Sequence, residues 1–399
     1  MLYFLIILFF IYTLAQVVLE FVELNFVRNE SKKEAVVLDK DEYQNAAIVA
    51  EANHKFKIIS ILYDFVVVVF WLFFGLAWLY GLFVKTGSVL ENLIFVMSFI
   101  VLSSLVLMPL DIYSKFIKDK KFGFSKITPK IYLIDTLKTL VLTLIVGSMV
   151  VWIFLMCINL LGTFWWFWAA VISFAIIVGI NFFYPTLIAP MFNKVSPLEN
   201  DSLKTQIEDL MSRSGFKSSG IFTIDASKRD SRLNAYFGGL GSSKRVVLFD
   251  TLLEKLSKNE ILAVLGHELG HFKHGDIRRN LAFSAFLLFI VFLIFGNLPD
   301  SVFSATKILK SGGSIIVMLM ILSNLLMFFV APITSTLSRK REFAADAYGA
   351  KAQSKQDMIS ALIKLGSENR AFPKSHKLYS AVYHSHPTLY ERIVQLEGR

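Results

Sequence analysis

The chain has 399 residues, of which 55% are hydrophobic and 18% charged, with a mean hydropathy of +0.58. That balance excludes an ordinary soluble domain and points to a multi-pass membrane protein. One cysteine, Cys157, excludes a disulfide framework and a cysteine metal site, and the formal charge of +10 is to be judged by where it falls along the chain.

Seven stretches reach the ~20 apolar residues that a bilayer-spanning helix requires. They are about 2–24, 61–84, 89–110, 133–161, 164–189, 280–298 and 314–335. The first opens MLYFLIILFF with no basic n-region and no small-residue cleavage site after it, so it reads as a retained helix. Loops 27–60, 111–139, 190–279 and the tail after 335 hold every lysine and arginine except Lys85, Lys307 and Lys310. Such asymmetry puts the N-terminus outside and the basic segments in the cytoplasm, and it accounts for the charge without nucleic acid. The expected setting is the lipid bilayer of a bacterial inner membrane or the endoplasmic reticulum.

Between and after the spans, the charged segment 28–57 reads as a cytoplasmic helix or pair of helices, and 202–215 as a helix. IFTID (221–225), NAYFGG (234–239) and RVVLFDT (245–251) read as short strands. A helix follows from about Asn259, whose side chain can cap it, and carries HELGH at 267–271. The expected fold is therefore all-α and multi-pass, with seven transmembrane helices and a zincin-like cytoplasmic catalytic domain containing a few short strands. Its expected divisions are five spans in 1–190, a catalytic segment in 191–279 with HExxH, two spans in 280–335, and a second catalytic segment in 336–399.

HExxH places His267 and His271 one helical turn apart on one face, where they can share a zinc ion that polarises a water. Glu268 between them is placed to remove that water's proton. His274 is also on this face, but the rise of ~1.5 Å per residue carries it ~10 Å from His267. Two nitrogens on one zinc lie at most ~4 Å apart, so His274 cannot join them; it caps the helix or bonds to Asp276. The third ligand must come from elsewhere, and Glu342 in SRKREFAADAYG (338–349), in a helix just past the last span, is the candidate. Asp346, one turn further on, is placed to orient a ligand histidine.

HELGH, REFAADAYG (341–349), LNAYFGG (233–239), KRVVLFDTLL (244–253) and HPTLYERI (386–393) together resemble the type I CAAX prenyl proteases, seven-span zinc metalloproteases, over nearly the whole chain. The resemblance implies one zinc per chain on His267, His271 and Glu342, with Glu268 as general base. It implies that Asn234 holds substrate backbone or stabilises the oxyanion, and that His386 and Arg392 contact substrate or transition state. It also implies a large water-filled chamber within the spans. The implied substrates are CAAX-type prenylated or other membrane-associated peptides and proteins. The alternatives are an HtpX-like quality-control protease and a non-enzymatic membrane scaffold or transporter. Glu268 argues against the latter, because a structural zinc would have a fourth protein ligand instead.

Overall fold

The computed structural model of the protein describes residues 1–398. Among them seven helices are long and apolar enough to cross a membrane, here called spans one to seven: Leu2–Glu30, Lys40–Phe83, Val89–Lys121, Pro129–Leu160, Gly162–Phe192, Asp276–Gly296 and Gly312–Ala352. Each coincides with one expected stretch, but several run well beyond their apolar part. The segment 28–57 is accordingly not a separate helix or pair. It consists of the polar ends of spans one and two and the turn that joins them, and Asp39 caps span two reciprocally with Glu42. Span seven likewise continues without a break through REFAADAYG, so Glu342 and Asp346 belong to the same helix as the span. Its 41 residues make roughly 60 Å of helix, about twice a hydrocarbon core, so the carboxylates can lie well beyond the lipid.

The spans pack around a core that includes Leu72, Leu76, Phe95, Val317 and Met318, all fully buried. Phe4, Phe74, Ile145 and Phe329 point outward and are more than half exposed, forming the apolar surface that acyl chains would cover. Cys157 is buried in span four.

A second core lies under a four-stranded sheet. Its strands are β1 (Val195–Pro197), β2 (Ile221–Ile224), β3 (Ala235–Gly238) and β4 (Arg245–Phe249), in the order β1-β2-β4-β3. β2 and β4 run parallel, and the other two pairings are antiparallel. The sequence pattern missed β1, whose three residues are too few to carry an alternation. The same core takes up the helix Asp201–Arg213, which buries Leu203, Ile207 and Leu210 at helical spacing. The HELGH helix, Lys258–Lys273, is capped by Ser257 rather than Asn259: Ser257 accepts from the Glu260 N–H, and the Glu260 carboxylate accepts from the Ser257 N–H. Asn259 is instead an exposed residue in the first turn.

The two cores are tied together by charge. Arg229 donates from Nε and Nη2 to the two oxygens of Asp135 in span four, at 2.8 and 2.9 Å, and so fixes the loop before β3 to the membrane helices.

Candidate active site

The HELGH helix meets the polar end of span seven along small residues. A Cβ built on Gly270 would lie 2.9 Å from Ala345 Cα, and one on Gly349 would lie 2.9 Å from the Ala263 carbonyl oxygen and the His267 nitrogen. Only missing side chains allow the two backbones to approach this closely. The approach carries Glu342, from the far part of the chain, onto the face that holds the two histidines.

Three ligand atoms converge there. His267 Nε2 and His271 Nε2 are 3.2 Å apart, and Glu342 places Oε1 3.3 Å from His271 Nε2 and Oε2 3.5 Å from His267 Nε2. A Glu342 oxygen thus stands beside each imidazole nitrogen, and one ligand atom from each of the three residues lies within 4.8 Å of the others, a grouping that could hold one metal ion. The far nitrogens are engaged elsewhere: His267 Nδ1 is 2.8 Å from Asp346 Oδ1, and His271 Nδ1 is 2.9 Å from Asp276 Oδ2. With each carboxylate accepting a hydrogen bond from Nδ1–H, the neutral ring directs its Nε2 lone pair at the common point. Glu342 Oε2 is buried with no hydrogen-bond partner among the described residues. Two lone pairs and an unsatisfied carboxylate oxygen facing one another are unfavourable without a cation between them.

The titration of the ligands points the same way. Burial opposes a charged His267, yet Asp346 and Glu342 outweigh it and lift its pKa to about 9. Burial also opposes charge on His271, and Glu342 and Asp276 again raise its pKa. The pocket therefore favours positive charge at this point.

Arg392 donates from Nε to Asp346 Oδ2 at 2.8 Å and from Nη2 to Oδ1, so it grips the carboxylate that orients His267. His386 brings Nε2 to 3.4 Å from Glu342 Oε1, and the Ser385 hydroxyl is 2.9 Å from its Nδ1. The ring is open to a cavity but ringed by protein, and this burial, opposed by Glu342 and reinforced by Arg392, lowers its pKa. Burial pushes the Glu268 carboxyl up, against the nearby histidines.

Asn234 lies just before β3, exposed. Its carbonyl accepts from the Phe249 N–H at 3.1 Å and its Oδ1 from the Ala235 N–H at 2.8 Å, leaving the amide Nδ2 without a hydrogen bond among the described residues. Asn234, Glu268, His267, His386 and Arg392 line one cavity of about 360 Å³, with Leu362 and Leu389 among its apolar walls.

The structure thus brings the sequence-predicted residues His267, Glu268, His271, Glu342, Asp346, Asn234, His386 and Arg392 to one place. His274 stays apart: it closes the helix, its Nδ1 finds no partner, and Asp276 turns to His271 instead. Gly275 explains this outcome, since its left-handed backbone folds the start of span six back under His271. Sequence reasoning offered Asp276 to His274 rather than to His271, and it missed the glycine contact. That contact was legible as small residues four apart on both helices, Gly266 and Gly270 against Ala345 and Gly349.

Seven membrane-type helices joined to a sheet-and-helix unit that carries a His-His-Glu group suited to a metal, with an adjacent glutamate, define a membrane metalloprotease. Residues 197–399 match Peptidase family M48, and residues 24–194 match the CAAX prenyl protease N-terminal region of five membrane helices. CAAX prenyl protease 1 of Saccharomyces cerevisiae is 38% identical over 333 residues, 78% of this chain and 73% of the yeast protein. The Homo sapiens CAAX prenyl protease 1 homolog is 31% identical over 356 residues, covering 78% and 74% of the two chains. The crystal structure of S. mikatae Ste24p superposes with a TM-score of 0.89 over 98% of this chain and 97% of that one, at 31% identity. The chain belongs to peptidase family M48 and shares the CAAX prenyl protease architecture. The comparisons do not favour the quality-control and scaffold readings.

Proposed function

We propose that the protein is a zinc endopeptidase acting on CAAX-type prenylated peptides at the cytoplasmic face of its membrane. The observation that carries the reading is the spacing of the His267, His271 and Glu342 ligand atoms, with Glu268, Asn234 and His386 around one adjoining cavity. The relatives named CAAX prenyl protease 1 support the substrate class, and the one-sided distribution of lysine and arginine supports the orientation.

His267, His271 and Glu342 would hold the metal, which would supply Lewis-acid polarisation of water and carbonyl. Glu268, its carboxyl raised by burial, takes the proton from the attacking water and returns it to the leaving amine. In this reading the Ser385 hydroxyl, 2.9 Å from His386 Nδ1, donates a hydrogen bond to it, and the neutral ring presents Nε2–H to the reacting carbonyl. His386 and the Asn234 amide then donate to the oxygen on which negative charge develops. Arg392 acts through Asp346, fixing the tautomer and angle of His267.

Cleavage of matched prenylated and unprenylated peptides by the purified full-length protein tests the substrate class, and metal analysis tests for about one zinc per chain. Glu268→Gln and His386→Ala should each keep the metal and lower kcat about 10²-fold or more. Near-normal turnover of His386→Ala at full metal occupancy would remove it from the mechanism. Cysteine labels after Lys310 should react from outside intact cells, and labels at 200 or 380 should not; the reverse would refute the orientation.

A further inference from the structure

His386, Pro387 and Leu389 line both the catalytic cavity and an adjoining second one of about 520 Å³. Arg232, Arg370 and Lys374 line this second cavity, against a single carboxylate, Glu23. A confined space with that imbalance favours an anion. Two of the cations are already engaged: Arg232 pairs with Asp230 at 2.9 Å and Asp119 at 3.3 Å, and Lys374 with Glu30 at 3.1 Å.

Arg370 is different. Among the described residues no carboxylate lies within ion-pair distance of its guanidinium, whose neighbour is the Phe124 ring, 5.6 Å from the centroid. Carboxylates do line the next cavity beyond it, but Glu42 bonds to Ser367, Glu368 pairs with Lys255, and Glu254 makes no ion pair with Arg370. The backbone at Arg370 is left-handed, with φ at +46°, and it closes the helix Lys355–Glu368. The Arg370 N–H bonds to the Ser367 carbonyl and the Ala371 N–H to the Gly366 carbonyl. Glycine fills such a position without steric cost, yet a long cation stands here. Next to it, Asn369 bonds both the N–H and the carbonyl of Leu233, which precedes Asn234. The backbone that carries Arg370 is therefore fixed to the strand that faces the reacting carbonyl.

We propose that Arg370 binds a carboxylate of the peptide substrate in the second cavity while the scissile bond lies between Asn234 and Glu268. The proposal rests on the roles given above to the residues of the metal site. A guanidinium with no internal partner can offer two parallel N–H donors to a carboxylate, and a peptide supplies one either at its C-terminus or on a side chain.

The test uses the metal-loaded full-length protein and three versions of one prenylated peptide: free C-terminal acid, C-terminal amide, and amide with a glutamate added on the C-terminal side of the scissile bond. Wild type should favour one of the two carboxylate peptides over the plain amide by about 10- to 100-fold in kcat/KM, chiefly through KM. The peptide it favours identifies the source of the carboxylate. Arg370→Gln should bring that ratio toward one, and Arg370→Lys should keep part of it. Arg370→Gly should also bring it toward one, and because glycine suits the left-handed backbone, misfolding would not explain the loss. A ratio near one in wild type, or one that survives in both Arg370→Gln and Arg370→Gly, overturns the proposal while leaving the metal site's assignment intact. If the wild type cuts none of the three, both the proposal and the site assignment beneath it fail.

Discussion

The two sides of the metal centre are built differently. His267 is buried, its Asp346 is held in turn by Arg392, and these three residues come from three separate parts of the chain. His271 is more open, and its carboxylate, Asp276, lies only five residues further on. Asp276 Oδ1 has no hydrogen bond, and Arg279 and Arg341 stand off at 3.6 and 3.7 Å. Glu342 divides in the same way, with Oε2 facing His267 and Oε1 facing both His271 and His386. One side is a closed framework that sets geometry. The other is open to the groups proposed to do the chemistry.

The largest test of that division removes the residue common to both sides. Glu342→Ala should lose most of the bound metal and essentially all hydrolysis, whereas His274→Ala should retain the metal, both read as metal per chain after purification. The opposite pattern would reassign the third ligand.

A smaller effect separates the two sides. Asp346→Asn should weaken metal affinity about 10- to 100-fold, since it loosens His267 and strips Arg392 of its partner. Asp276→Asn should cost less, about severalfold, because a less firmly held carboxylate gives up less order. Competition with a chelator measures both, and equal losses would erase the distinction between framework and open side.

The smallest effect lies outside the chemistry altogether. Burial opposes ionisation of Glu260 at the start of the HELGH helix, but bonds from Lys364, Ser360 and Ser257 outweigh it and hold its pKa at about 2, below the ordinary 4.5. A carboxylate depressed on folding adds stability that is full above its unfolded pKa and is lost as pH falls from about 4.5 through about 2. Glu260→Gln should therefore lower stability by about 1–3 kcal/mol at neutral pH. The gap from wild type should narrow in acid, as followed by thermal unfolding. A constant gap would mean the loss is packing rather than charge.

The sequence by itself determined what is periodic or local. Hydropathy located the seven spans, the i, i+4 histidines lay on one face by helical geometry alone, and the short strands announced themselves by composition and turns. The motifs in HELGH, REFAADAYG, LNAYFGG and HPTLYERI carried the family and named all eight site residues before any distance was known. What only the tertiary structure decided depended on contacts between distant segments. That span seven continues unbroken to Glu342, that Gly270 and Gly349 let two backbones touch, that Asp276 serves His271 and Arg392 grips Asp346: none of these follows from periodicity. Each is fixed by how close two helices can approach and by which buried charge must find a partner, conditions set only when the chain has folded.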